Sequence, residues 1–471
     1  MSGTRMPWAK AVGALAAAAV AGAAVAAESP RTSAEIAALI EAAPAGATVR
    51  VPAGTYHGTL HVGRAVVLDG GGAAVLDGDG AAEVLVIDAP GVTVRGLVVR
   101  GSGVKVEMES AGIRVLSGPV VLEDNVVEDA LFGIDLRESP RSVLRGNTVV
   151  GKRLDLGRRG DAIRLWRCDD AIVEDNVVRH GRDVIMWYCD RLRIRRNLVE
   201  DSRYGLHFMY AHDAVVEDNT LRDNSVGMYI MYSADIALTN NRLTGNRGPS
   251  GYGLGLKDMD GLVAEGNLFA SNRVGVYVDN SPSSLDSEGV FARNLIAYNT
   301  IGMALTPNVR GNVLVRNAFV ENEEQIALLG RGELRDNAFA RGGQGNYWSD
   351  YGGYDRDRDG VGDLPYRSAS LFENLMDREP KLRLFLYSPI EQAVDFAART
   401  LPEMLPEPKF SDPCPLMSMP AAGPPHGPPR GSPALAAFGL VLLAAGVGIA
   451  AAPVGTRWSV CKAARREAST S

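Results

Sequence analysis

Apolar positions along the chain fall into short alternating runs rather than helical stripes. Gly133-Ile134-Asp135-Leu136, Gly205-Leu206-His207-Phe208, Gly227-Met228-Tyr229-Ile230 and Gly275-Val276-Tyr277-Val278 each place every second side chain on one face. Such runs predict strands with one buried side. Many of them come about eight residues after a polar phrase ending in Asn, as in Glu123-Asp124-Asn125, Glu174-Asp175-Asn176, Glu217-Asp218-Asn219 and Glu265-Gly266-Asn267. Asn125, Asn147, Asn176, Asn197, Asn219, Asn241, Asn267, Asn294, Asn317 and Asn337 recur at intervals of 20 to 29 residues.

A unit of that length, with two or three short strands and tight Asn/Gly turns, predicts one coil of a right-handed parallel β-helix. Asn suits the turn because it tolerates a left-handed backbone, and a stacked Asn can bond its equivalent in the next coil. The Leu/Asn consensus of a leucine-rich repeat is missing, and a propeller needs longer blades. Residues 28–345 are therefore read as the repeat domain and 346–400 as an aromatic and acidic C-terminal cap, opening with Asn346-Tyr347-Trp348-Ser349-Asp350-Tyr351. At the other end, Thr32 with Glu35 forms a capping box for a short helix over Ala34 to Glu41, which serves as the N-terminal lid.

The flanks differ from this body. Arg5 and Lys10 precede an Ala/Val/Gly run ending near Val25-Ala26-Ala27, so residues 1–27 read as a signal peptide. Residues 401–433 read as a Pro-rich linker, 434–452 as a transmembrane helix, and 453–471 as a cytoplasmic tail carrying Arg457, Lys462, Arg465 and Arg466. The expected location is the periplasm, tethered to the inner membrane. The net charge of −7, with no basic block in the folded part, argues against nucleic acid as a partner.

Aligned at a spacing of 22, the central coils form columns. Trp187, Met209 and Met231 share one, Tyr188, Tyr210 and Tyr232 the next, and His207 stands above Tyr229, while Leu206, Phe208, Met228 and Ile230 point inward. His207, Met209 and Met231 are expected on one outward face, with His212 at the following turn and His180 before the neighbouring strand. Imidazole with thioether is a donor set that favours monovalent copper. The same residues also suit a docking patch made of Trp187, Tyr188, Tyr210, Tyr229 and Tyr232.

Cys168 and Cys189 each precede a repeat Asn by eight residues, so they share a column at a separation compatible with a disulfide, with copper ligation as the other reading. Asp355, Asp357, Asp359 and Asp363 stand at positions 1, 3, 5 and 9 of a loop with Gly360 at position 6, the spacing of an EF-hand-like calcium site, although position 12 is Tyr366 rather than Glu. No catalytic constellation emerges. Asp135, Arg137, Arg164, Lys257 and Asp279 face outward but read as scattered surface charge.

The run Gly345-Asn346-Tyr347-Trp348-Ser349-Asp350-Tyr351, continuing to Gly362-Asp363-Leu364-Pro365-Tyr366, together with Gly205 to Tyr210 and Gly227 to Tyr232, resembles the NosD family of nitrous oxide reductase maturation proteins. The resemblance spans about residues 30 to 400. It implies a non-enzymatic periplasmic accessory protein that works with the ATPase and permease of an ATP-binding cassette transporter. It further implies a copper-donating lipoprotein and nitrous oxide reductase as partners, and copper or sulfur delivery as the task. It raises the standing of His207, Met209 and Met231 as copper or partner contacts. The alternative of a different class is a β-helix polysaccharide lyase, epimerase or hydrolase, which would show paired carboxylates in a groove; a cell-surface adhesin would show Thr/Ser/Asn ladders without the Met/His column.

Overall fold

The computed structural model describes residues 31–420, except 308, 331–333, 335, 369, 387 and 402–406. The expected signal peptide, transmembrane helix and cytoplasmic tail lie outside these residues. Among the described residues no helix is long and apolar enough to cross a membrane.

The chain winds into a parallel β-solenoid. One face is a 12-stranded parallel sheet running from Leu60–Val62 to Glu324–Leu328, here called the display sheet. The remaining strands, two per coil in the regular part, stack into a 24-stranded sheet that wraps the other sides. Alternation places Leu206, Phe208, Met228 and Ile230 fully inside, as expected, in one continuous core of Val, Ile, Leu and Phe from the first coil to the last. No single coil could bury that surface, so the stack is the unit of stability. Five successive display strands, from Tyr204–Met209 to Ile301–Leu305, carry Gly as their second residue because the neighbouring coil leaves no room: a Cβ on Gly205 would lie 2.4 Å from the Gly227 carbonyl oxygen, and one on Gly227 2.6 Å from that of Gly253.

Register between coils is held by the repeat asparagines. From Asn125 to Asn317, each backbone N–H donates to the Oδ1 of the next Asn in the column at 2.8 to 3.1 Å. The side-chain amide reaches the same oxygen, and also the carbonyl of a residue in the preceding coil, as Asn219 does with Ile194 at 2.9 Å. Only one of the two reasons expected for Asn holds. The left-handed residue is the one before it, such as Asp175, Arg196 or Asp218, while the Asn supplies the stacking bonds. A second column, Asn224, Asn246, Asn272, Asn299 and Asn322, repeats the device at the next corner.

Two further expectations are corrected at the C-terminal end. Asn337 is not in the main column; it takes the N–H of Asn312, and the last rung below Asn317 is Asn346. The cap also extends beyond residue 401 into the segment read as linker. Ser411–Asp412 pairs antiparallel with Tyr366–Arg367, and the fully buried Asp412 carboxylate accepts the N–H of Asn346 at 2.7 Å and the Trp348 indole at 3.0 Å. Asp412 thus stands where a further Asn would stand and ends the ladder. At the other end the capping box at Thr32 and Glu35 forms, and Ile36 and Ile40 of the helix Ser33–Ala42 close the core.

Replacing a central rung should show how much the stack depends on it. Asn219→Ala leaves the buried N–H and amide of Asn197 without their acceptor, and such groups cost about 1 to 3 kcal/mol each. We expect a loss of about 3 to 5 kcal/mol in urea unfolding followed by circular dichroism.

Candidate functional site

The outward face of the display sheet is organised in columns one coil apart. In one, Arg137, Trp166, Trp187, Met209, Met231, Lys257 and Asp279 are register partners in succession, all half-buried. Beside it Asp135, Arg164, Ile185, His207, Tyr229, Gly255 and Tyr277 form the next. The expected juxtaposition of His207, Met209 and Met231 is therefore present. His212 lies elsewhere: it stands two residues after the left-handed Tyr210, bridges to Ala234, and gives its N–H to Asp190. His180 sits at a different corner, paired with Asp201.

His207 points away from the core yet is only 6% exposed. The cause is a bulge. Asp183 pairs with Tyr204 but Ile185 with His207, so one extra residue lets Tyr204 and His207, three apart, both face outward. Tyr204 then packs edge-on against the imidazole at 4.9 Å between ring centres, and Tyr229 lies over it at 6.5 Å. Beneath, the fully buried Asp183 carboxylate meets His207 Nδ1 at 3.2 Å and takes the Arg203 guanidinium at 2.9 Å. Burial alone would raise the Asp183 pKa; the hydrogen bonds from His207 and Arg203 outweigh it and hold the carboxyl below its ordinary value. With Nδ1 occupied, His207 Nε2 has no hydrogen-bond partner among the described residues.

Asp161, one coil away, is pushed up to about 6 by burial and by the charge of Asp183, although Arg182 donates to it at 3.1 Å. Toward the N-terminal end of the face the charges read as scattered are in fact gathered. Asp135 is fully buried and bonded to Arg114, Arg137 and Arg164, and Glu109 from an overlying loop joins Arg137 and Arg164. The Arg164 guanidinium holds the Glu109 carboxyl down at about 2.

Tyr188, Tyr210 and Tyr232 occupy the left-handed corner position of successive coils. Their rings stack at 5.1 Å per step, and Tyr188 and Tyr210 are 45% and 37% exposed. Trp187 joins Tyr188 at 6.0 Å, whereas Tyr229 belongs to the half-buried group around His207.

Cys168 and Cys189 are brought together in the core as free thiols. The Cys168 N–H donates to Cys189 Sγ at 3.2 Å, and each thiol donates to the carbonyl two residues before it. Ser233 and Ser281 do the same with Oγ in later coils, so the cysteines fill rungs of a third corner ladder. In the acidic loop, carboxylate oxygens of Asp355, Asp357 and Asp359 lie within 4.8 Å of one another; Asp363 instead accepts the Arg356 N–H. Three of the four expected ligands therefore converge.

These features define a class first: a capped parallel β-solenoid presenting a His/Met/aromatic face on one sheet. Residues 147–353, which hold that face, match the family described as "Periplasmic copper-binding protein (NosD)". The chain is 32% identical over 371 residues to the Pseudomonas aeruginosa "Probable ABC transporter binding protein NosD", covering 76% of this chain and 83% of that protein. Its counterpart from Stutzerimonas stutzeri is 30% identical over 191 residues, 38% of this chain and 43% of that one. The chain belongs to the NosD family. Among solved structures, the A-module of the Azotobacter vinelandii mannuronan C-5 epimerase AlgE6 aligns over 68% of this chain and 94% of its own at 16% identity and a TM-score of 0.43, too remote to inform the chemistry.

The sequence reading missed Asp161, Asp183, Arg203 and Tyr204, which set the environment of His207. Asp161 precedes Asp183 by 22 residues and Asp183 pairs with Tyr204 21 residues on, so the coil spacing itself was the available signal for these three. Asp161 yields a pH prediction. Its carboxyl ionises near pH 4 unfolded and near 6 folded, so the folded state loses stability as pH rises through that interval. Asp161→Asn removes the loss. We expect it to stabilise by on the order of 2 kcal/mol above pH 7 and to be neutral below pH 4, read from urea unfolding across pH.

Proposed function

We propose that this protein is a periplasmic accessory factor for assembling the copper clusters of nitrous oxide reductase, holding cuprous ion in transit on the His207 face. The observation that carries the reading is the buried imidazole: its Nδ1–H is committed to Asp183, its Nε2 lone pair is left for a metal, and Met209 and Met231 stand in the adjoining column. A carboxylate behind a histidine fixes the tautomer and orientation that present the distal nitrogen to a metal, and thioethers complete a soft donor set for monovalent copper.

The relatives' description as ABC transporter binding proteins supports a transporter, with its ATPase and permease, as the membrane partner. The Tyr188-Tyr210-Tyr232 stack with Trp187 is the docking surface in this reading, since exposed stacked aromatics mark contact patches. A copper-donating lipoprotein and nitrous oxide reductase would occupy the two ends of the transfer. Sulfur delivery uses the same scaffold but gives the thioethers no role.

A second reading, an uronan lyase, epimerase or hydrolase, draws on one observation: the buried Asp161, Asp183 and His207, with the half-buried Tyr204 against the imidazole, form an acid-base cluster. Arg203 and Arg182 already neutralise its carboxylates, which favours the binding reading.

Anaerobic titration with cuprous ion against a chromophoric chelator tests the proposal. The wild type is expected to bind tightly, and His207→Ala/Met209→Ala/Met231→Ala to lose at least a hundredfold in affinity at this face while remaining folded by circular dichroism. Equal affinity in the two would remove copper from this face, and turnover of alginate or polygalacturonate by the wild type, abolished in His207→Ala, would favour the enzyme.

A further inference from the structure

Aromatic rings on and beside the display sheet hold cations of the protein's own against their faces. The guanidinium of Arg164 lies over Phe132 at 4.7 Å, that of Arg167 over Trp166 at 5.0 Å and that of Arg203 over Tyr204 at 4.5 Å, while Lys257 Nζ lies over Tyr232 at 5.9 Å. Trp187, the register partner of Trp166, carries none among the described residues. On its other side the register partner is Met209, with Met231 one coil further on.

Ring orientation turns the indole toward those thioethers. Tyr188, Tyr210 and Tyr232 stack along the solenoid at 5.1 Å per step, with successive planes inclined by 7° and 16°, so their faces look toward the neighbouring coils. Trp187 is tilted by only 15° from Tyr188, and its face looks the same way, on one side toward Met209. His207 stands two residues before Met209 on the same outward face, with Nε2 unpartnered among the described residues. Indole face, two thioethers and imidazole therefore occupy adjoining positions. The other end of the indole argues that the ring is kept for its face. Trp187 Nε1 is buried with no acceptor among the described residues, an unfavourable state for an N–H withdrawn from water. Phenylalanine would avoid it; what tryptophan adds is the best π face for a cation.

Resting on the reading of this face as a cuprous site, we propose that Trp187 is its selectivity-determining residue: the indole face lies against the ion held by His207, Met209 and Met231. A π face attracts a cation most strongly when the two meet without water between them. Cuprous ion on soft thioethers meets that condition, whereas zinc or cupric ion favours imidazole, carboxylate or water and would need a hard donor where the indole stands. The contact transfers neither electron nor proton, and it forms and breaks with the coordination of the ion.

The test titrates the full chain anaerobically with cuprous ion against a chromophoric chelator, recording an ultraviolet difference spectrum at each addition, for the wild type, Trp187→Phe and Trp187→Leu. The wild type is expected to show a shifted indole absorption that saturates together with binding; both variants lose it. Affinity should fall in the order Trp, Phe, Leu, by about three- to thirtyfold from first to last. Zinc titrated alone should leave the indole spectrum unchanged. Lost packing would weaken binding without the spectral change, so the two readouts separate a structural role from contact with the ion. Wild-type affinity in Trp187→Leu, or tight binding by the wild type with no indole change, would overturn this inference and leave the His207 face standing. Absence of cuprous binding in the wild type would overturn both. A zinc-induced indole shift equal to that of cuprous ion would overturn the selectivity. Should Trp187→Leu be unfolded by circular dichroism, the wild-type spectrum and Trp187→Phe decide by the same criteria.

Discussion

Everything in this molecule depends on adjacent coils keeping one register, and the hydrogen bond from each Asn N–H to the next Asn Oδ1 is what holds it. Parallel strands stacked by backbone bonds alone tolerate slippage, and a slip of one residue would turn every inward Leu or Val outward. A buried amide at each corner removes that freedom, because its oxygen and nitrogen have partners only when the coils are aligned. The price of this arrangement is that both ends of the column need a terminator. Asp412 supplies one, accepting from Asn346 and Trp348 together, and its carboxylate arrives from a segment 66 residues further along the chain than the rung it completes.

Fixed register is also what makes a site on this scaffold possible. Residues a coil apart in sequence become neighbours about 4.8 Å apart in space, so a column is a row of side chains at a set pitch. Met209 stands beside Met231, and Tyr210 between Tyr188 and Tyr232, for no other reason. His207 lies on the first strand to carry a bulge, which the strands of Tyr229 and Tyr277 then share in register. The extra residue sinks the imidazole between Tyr204 and Tyr229 and sets it over Asp183, a position that regular pleating would have left open to water.

The fold was legible because a repeat multiplies a weak signal: ten Asn positions at coil spacing outweigh any local ambiguity in a three-residue strand. The outward columns could be read for the same reason. What could not be read was whatever breaks the period. The bulge at Tyr204-Gly205 looks like ordinary sequence, so the burial of His207 and its bond to Asp183 were invisible. The charge cluster on Asp135 depends on Glu109, which comes from a loop outside the repeat, and so appeared as isolated surface charges. Asn337 lies a plausible distance after Asn317, and only the observed bonds show that Asn346 takes its place. A second Asn column five residues after the first was available in the sequence at Asn224, Asn246, Asn272, Asn299 and Asn322, and would have strengthened the assignment.

The solenoid explains why an unfavourable cluster can persist on its face. Asp161 and Asp183 are both buried, and burial first and the charge of Asp183 second push the Asp161 carboxyl up to about 6. In a small domain with a stability of about 5 to 15 kcal/mol, such a pair would take a large share. Here every coil adds a similar increment of buried core and rung bonds, so stability grows with length while the strained cluster stays confined to neighbouring coils. The cost therefore does not propagate, and an arrangement that a compact domain would reject is available for chemistry. That logic favours a position in the middle of the stack, with complete coils on both sides, for the site proposed at His207.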